Sequence, residues 1–399
     1  MNSTTATYPR YSLYLVSLGH LLLEMANNSL PIIYPVLVAA NVISYTRVGT
    51  IVFIVGMWSS LAQPLFGYLS DRWAPQVVIG LSVAASGAAI ALTGFSASWT
   101  VLLACVTLAM TGSAAFHPAA AIVAAASARG ARGAAVSVFS VGGNLGSTIG
   151  PVLVAATIAA FGSRGTAAVF PPVILGAVTL LVLLGRAHRT RSTYGGGDSG
   201  LLARQGSWAA LALVVIAAGF RMWFQTSFGT YLPAWFEEQG YTLTFAAQML
   251  SVFTACSALG SLLGGTLADR IGSWQLMAIA LALLGPSSWL LLQVAPALHA
   301  PLVGFVGVLV GANYPVAIVA AQESWPRGPG LATGLALGLA WIGSAAGGLI
   351  TGRLVDQVSA QYALQWLFIP SILALVCALA YPLARGRQAQ PADCVDSSD

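Results

Sequence analysis

The heptapeptide GYLSDRW, Gly67–Trp73, returns as GTLADRI, Gly265–Ile271, which sets Asp71 over Asp269 and Arg72 over Arg270 at a shift of 198 residues. Two further matches keep the same order. HPAAAIVAA from His117 answers to YPVAIVAA from Tyr314, and GSTIG from Gly146 answers to GSAAG from Gly343, both at a shift of 197. Ordered matches at a near-constant offset identify a duplicated unit about half the chain long, and a duplication of that size decides the architecture before any single motif is interpreted.

The composition says where the duplicated unit resides. With 57% hydrophobic residues, 7% charged residues and a mean hydropathy of +0.83, the chain is far from the roughly 25% charged content of a soluble domain. Apolar segments of the ~20 residues needed to cross a hydrocarbon core recur along nearly its whole length, separated by short polar joints. We count twelve, six on either side of RAHRTRSTYGGGDSG, where Arg186, Arg189, Arg191 and a glycine run read as a solvated linker. The expected organisation is an N-terminal six-helix bundle over residues 1–186, a cytoplasmic linker over 187–207, a C-terminal six-helix bundle over 208–387 and a cytoplasmic tail over 388–399. The first apolar run continues past Glu24 toward Ala40 without a small-residue cleavage site, so it reads as a retained helix.

Arginine placement sets the orientation. If the N-terminus is cytoplasmic and sides alternate, 12 arginines fall inside and only Arg47, Arg164 and Arg353 fall outside, the bias that cytoplasmic loops carry. The net charge of +5 is then topological and gives no reason to expect a nucleic-acid partner. The chain contains no lysine, which excludes a Walker A loop and a retinal Schiff base. GxSxG and HExxH spacings are absent too, so an enzyme is not expected. Cys105, Cys256, Cys377 and Cys394 have no metal-ligand spacing and read as apolar filler. Neither a cofactor nor a metal site is expected.

Within the first apolar run, SLGHLLLEMANNSLPIIYP (Ser17–Pro35) carries His20, Glu24, Asn27 and Asn28. On a helix these share one stripe, because the residue four positions on returns to within about 40° of the first. Six-helix halves of the same orientation are related by an axis along the membrane normal and hold substrate near the midplane between them. Adding 197 to Glu24 gives Arg221. Glu24 and Arg221 are therefore expected at similar depth on opposite walls of one central cavity, with the polar stripe facing a water-filled pathway.

Twelve helices in two homologous halves, with Gly-x-Leu-x-Asp-Arg repeated between helices two and three and again between eight and nine, resembles the major facilitator superfamily. Within it, GH at Gly19 and His20 with Glu24 four residues on, FHP at Phe116–Pro118, SVGGNLGSTIGP at Ser140–Pro151, and QE at Gln322 and Glu323 resemble the fosmidomycin resistance protein family. Gly146, Gly150 and Pro151 match the proton-antiporter signature that the resemblance implies on helix five, with Val154 and Ala155 in place of its trailing glycine pair.

Glu24 is the first candidate for proton coupling, with His20 one turn away to share the proton; the alternative is a static polar cluster. Arg221 stays charged, and its planar fork suits a phosphonate, phosphate or carboxylate, with Gln225 extending the same face; pairing with Glu24 is the structural alternative. His117 and Tyr314 occupy matching repeat positions, each followed by a proline that frees a backbone carbonyl. Asn27, Asn28 and Asn144 are candidate substrate contacts. Trp223, Tyr231 and Trp341 are candidate cavity walls, with helix packing as the other reading. Asp71, Arg72, Asp269, Arg270 and Glu323 are assigned to gating, with Gly67 and Gly265 expected to let helices pack closely beside the first four.

The resulting expectation is an all-α, twelve-helix protein of a bacterial-type inner membrane with both termini cytoplasmic, surrounded by lipid and working as a monomer. It would exchange protons for a small organic compound, anionic or drug-like, a phosphonate or a metal chelator, by alternating access. Proton-coupled uptake and a non-transporting membrane sensor are the alternatives.

Overall fold

The computed structural model describes residues 8–70, 74–127, 132–187, 206–325 and 329–386. Among them every regular element is helical. Before the linker run α1 (Arg10–Asn27), α2 (Leu30–Ala39), α3 (Tyr45–Ser70), α4 (Pro75–Thr93), α5 (Trp99–Ala126), α6 (Arg132–Phe161) and α7 (Phe170–Ala187). After it run α8 (Trp208–Glu238), α9 (Leu243–Ile271), α10 (Ser273–Leu291), α11 (His299–Ser324), α12 (Pro329–Gln357), α13 (Ala360–Gln365) and α14 (Phe368–Gly386).

Among the described residues nine stretches are long and apolar enough to cross a membrane, and with α3 and α12 they are consistent with the twelve crossings expected. Arg10–Ala39 is one apolar span broken once, and the six-residue α13 joins α14 in the span Ala360–Arg385. A single apolar stretch, Val138–Ala187, covers both α6 and α7. The break in the first span has a local cause. Pro31 offers no N–H to the Asn27 carbonyl and its ring crowds that carbonyl, so α1 ends at Asn27 and the helix restarts at Leu30. Asn28 N–H keeps its regular helical bond to Glu24 O at 3.0 Å, Ser29 N–H shifts to Ala26 O at 3.2 Å, and the Met25 carbonyl left over accepts from the Ser29 hydroxyl at 2.7 Å.

Within each half, small residues let backbones touch. A methyl group at Gly142, Gly146 or Gly150 of α6 would run into the carbonyls of Ser17, Leu21 and Met25 on α1, so a stripe at intervals of four residues seats α1 directly on α6. The second half repeats the arrangement. Gly343 of α12 lies against the Gly219 carbonyl of α8, so the duplication read from the sequence is also present in the packing.

Between the halves, α3 packs on α12 and α6 on α9. At the end of the bundle remote from the chain termini, both carboxylate oxygens of Asp356 on α12 accept hydrogen bonds from the first turn of α3, from Tyr45 N–H at 2.8 Å and Thr46 N–H at 2.6 Å. Gly49 and Gly348 let the two backbones meet just below. Deeper in, the hydroxyls of Ser251 and Thr254 on α9 donate to the carbonyls of Thr148 and Ser147 on α6, at 2.6 and 3.3 Å. Residues 71–73, 188–205 and 387–399 lie outside the described residues, and with them Asp71, Arg72, most of the linker and the whole tail.

Candidate functional site

Two connected cavities occupy the space between the halves. One, of about 570 Å³, is lined by Glu24, Asn27, Asn28, His117, Arg221, Tyr314 and Trp341 among others, and it extends toward the terminus-bearing end as far as Gln63 and Ala336. The other, of about 460 Å³, shares Glu24, Asn28, His117, Arg221 and Tyr314, and adds His20, Asn144 and Gln225. The repeat arithmetic therefore places its pairs correctly: Glu24 with Arg221, and His117 with Tyr314, line common space. Among the described residues, Glu24 is the one acidic side chain that lines either cavity.

Glu24 is held from both sides. Its Oε2 accepts from Asn28 Nδ2 at 2.6 Å, and the same amide donates to Ser147 Oγ at 3.0 Å. Its Oε1 faces two imidazoles, His117 Nε2 at 3.5 Å and His20 Nε2 at 3.9 Å. A carbonyl can only accept, so the bond of His20 Nδ1 to Phe139 O at 2.9 Å and that of His117 Nδ1 to Ser113 O at 2.8 Å each fix a proton on Nδ1. In the neutral rings both Nε2 lone pairs are then turned to the carboxylate. The His20 ring stacks on Phe139 at 4.3 Å between centroids, and it fits because residue 143 is glycine: a methyl there would strike the imidazole.

Across the cavity, Arg221 is 5% exposed and lacks partners of matching strength. Its Nη1 donates to Gln225 Oε1 at 2.6 Å and weakly to Val310 O at 3.4 Å, Nη2 meets the Met222 thioether at 3.0 Å, and Nε is buried without a partner. The guanidinium carbon stands 5.9 Å from the centre of the Tyr314 ring. No ion pair links Arg221 to Glu24 or to any other carboxylate among the described residues. Five donors with one strong acceptor make a cationic fork open to an anion.

The remaining candidates divide. Asn27 lines the larger cavity while its Oδ1 accepts from Ser86 Oγ at 2.8 Å, which ties α1 to α4. Trp341 is a wall residue. Tyr231 and Trp223 lie outside the lining of both cavities. Tyr231 is fully buried with its hydroxyl on Gly348 O at 3.0 Å, and Trp223 donates from Nε1 to Thr351 Oγ1 at 3.2 Å. Both serve the seam between α8 and α12, as the packing reading allowed. Of the gating group, Arg270 is exposed in the last turn of α9. The side chain of Asp269 lies outside what is described. Glu323 pairs with Arg385 at 2.6 Å inside the same half, so its contact does not bridge the halves. A methyl at Gly265 would meet nothing within 4 Å, so the close packing expected there is not made in this state.

Sequence reading missed three contributors. Asn28 was placed on the polar stripe, but its bond to Ser147 was not foreseen; the only signal was Ser147's position inside SVGGNLGSTIGP. Phe139, just before that motif, carries the carbonyl that sets the His20 tautomer. Asp356 has no motif around it.

A family model described as "Major Facilitator Superfamily" matches residues 16–335 and 249–393. The chain is 28% identical over 356 residues to the "Fosmidomycin resistance protein" of Escherichia coli (strain K12), covering 87% of this chain and 86% of that one. It is 28% identical over 384 residues to the "Uncharacterized MFS-type transporter YfnC" of Bacillus subtilis (strain 168), covering 93% of each. Among solved structures, a bacterial homolog to the human lysosomal transporter Spinster, in an inward-facing and occupied conformation, superposes with a TM-score of 0.77 at 15% identity, over 94% of this chain and 96% of that one. The nucleoside transporter NupG superposes with a TM-score of 0.68 at 14% identity, over 94% and 99%.

Proposed function

The chain belongs to the major facilitator superfamily and is a multi-pass membrane transporter of a small molecule, and we propose that it is a proton-coupled antiporter that exports a small organic anion. The observation that carries the reading is one carboxylate, Glu24, set between two imidazoles and facing the under-bonded Arg221 across a shared cavity. Glu24, with His20 and His117 beside it, takes up and releases the proton. Arg221 and Gln225 hold the anionic group of the substrate, with Tyr314, Asn144 and Trp341 around it. The Escherichia coli relative, named for resistance to fosmidomycin, supports export and makes that compound the first to try.

In this proposal the two bundles, residues 1–186 and 208–387, rock about the cavity as a monomer in a bacterial-type inner membrane. The linker over 187–207 and both termini face the cytoplasm, the side the arginine bias favours. Asp71, Arg72, Asp269 and Arg270 act at the cytoplasmic gate when it closes. The sequence has no Walker A loop, so the energy comes from a gradient or a partner, and in this proposal it is the proton gradient.

The test is proton movement in proteoliposomes under an imposed pH gradient. Fosmidomycin and other phosphonates come first, followed by drugs and chelating organic acids, with wild type and Glu24→Gln run side by side. Substrate-dependent proton flux that vanishes in the variant is expected, and its direction distinguishes export from uptake. Flux that survives Glu24→Gln refutes the role of Glu24. Absence of flux for every compound favours the sensor alternative.

A further inference from the structure

The three groups around Glu24 are arranged for more than a proton. Bonds to backbone carbonyls consume both Nδ1–H groups, and a bond from Asn28 turns Glu24 Oε2 away. What remains are three lone-pair donors, His20 Nε2, His117 Nε2 and Glu24 Oε1, all within 4.8 Å of one another. At 3.5 and 3.9 Å from Oε1 the nitrogens stand beyond hydrogen-bond distance. They converge without bonding to one another. An ion at bond lengths of about 2.05 Å spaces tetrahedral ligands by roughly 3.3 Å, so small rotamer adjustments would close the trio onto a cation. The surroundings match those of known metal ligands: each ligating His hydrogen-bonds a backbone carbonyl through its other nitrogen, and the ligating carboxylate is itself hydrogen-bonded.

We infer that His20 Nε2, His117 Nε2 and Glu24 Oε1 form a binding site for a divalent first-row transition-metal ion, facial in geometry and open to the cavity on its remaining side. Two imidazoles and one carboxylate, without a thiolate, suit zinc, cobalt, nickel or iron(II) and disfavour magnesium or calcium. Charge then determines what completes the coordination. A dication bound by one carboxylate retains a unit of positive charge in a space whose opposite wall carries Arg221. An organic chelator with anionic donors neutralises both, with one end on the metal and the other on the guanidinium fork. The ion is therefore held as part of an anionic chelate. This names the substrate class of the transport site and rests on the transport reading for that step alone; metal binding does not depend on it.

The full-length protein, purified through a tag without histidines, stripped with EDTA and kept in detergent, is titrated with Co2+. The visible d–d spectrum and the bound-metal stoichiometry are read without citrate and with it. One ion per chain is expected, with His20→Gln, His117→Gln and Glu24→Gln each weakening it at least about 100-fold and Asn28→Ala, which only orients the carboxylate, about 10- to 100-fold. His188→Ala and His299→Ala, at the other two of the chain's 4 histidines, leave it unchanged. Size-exclusion profiles establish that each variant is folded, and Gly143→Ala, which displaces the His20 ring, gives the same loss without removing a ligand. Tighter binding with citrate, lost in Arg221→Gln, identifies the chelate; equal binding with and without citrate overturns the chelate assignment and leaves the free ion. Failure of Co2+, Zn2+ and Ni2+ to bind under either condition, or binding indifferent to all three ligand variants, overturns the site. The two readings fail separately: proton flux without metal binding overturns only this inference, and metal binding without flux overturns only the transport function.

Discussion

Replacing Asp356 with alanine should release the bundle at the end remote from the termini. The carboxylate caps the first turn of α3 across the boundary between the halves, accepting from Tyr45 N–H at 2.8 Å and Thr46 N–H at 2.6 Å. Loss of an N-cap side chain costs about 0.5–2 kcal/mol, and loss of an anion from a helix N-terminus a further 0.3–1 kcal/mol. Asp356 is exposed, so the low half of that range applies and the sum is about 1.5 kcal/mol. In the proposed rocking cycle the contact exists only while this end is closed, so the whole amount falls on the equilibrium between closed and open forms, a shift of about tenfold. Spin labels on cysteines at Ala40 and Gln239, both exposed and on different halves, would report it in a background lacking Cys105, Cys256, Cys377 and Cys394. Pulsed electron-spin distance distributions should gain a longer component in Asp356→Ala, and a smaller one in Asp356→Asn, which keeps one acceptor oxygen. A distribution unchanged in both variants would falsify the latch.

Other perturbations have equally definite outcomes. Gly146→Leu forces a side chain into the backbone of α1 at Leu21 and should lower the melting temperature by several degrees, whereas Gly185→Ala, where a methyl meets nothing within 4 Å, should not lower it. Arg221→Lys keeps the charge and loses the planar fork, so KM for an anionic substrate should rise about tenfold or more with the protein still folded; an unchanged KM would remove Arg221 from the binding site. Glu323→Gln breaks an exposed pair with Arg385 inside one half, worth about 1 kcal/mol or less, and transport rates should stay within about twofold of wild type.

Much of this was legible in the sequence because lipid imposes simple rules. Apolar length gave the crossings, and the repeat offset carried Glu24 onto Arg221 and His117 onto Tyr314 without any contact information. Helix facing is where the reading fails. Tyr231 and Trp223 share the composition of a cavity wall yet point into the α8–α12 seam, because aromatic residues suit cavity walls and helix seams alike and, unlike the polar stripe of α1, carry no periodic signal of which one they face. Contacts between distant segments were equally invisible. His117 approaches Glu24 from α5, and Asp356 reaches Tyr45 across 311 positions. No local pattern encodes either approach.

Ser147 belongs to two systems at once. Its hydroxyl receives the Asn28 amide that holds Glu24, and its carbonyl receives Thr254 from the other half. Three hydrogen bonds thus run from the carboxylate to the α6–α9 contact between the halves, and a stripe of backbone contact with α1 makes α6 a stiff carrier for them. If the halves rock as proposed, whatever occupies Glu24 pulls directly on the contact about which they turn. Thermodynamic linkage requires the converse to hold with equal strength: a force that biases the proposed rocking, whether bilayer tension, voltage or a bound antibody fragment, retunes the affinity at the cavity carboxylate. The transporter should thus respond in its binding constants to mechanical load on its exterior.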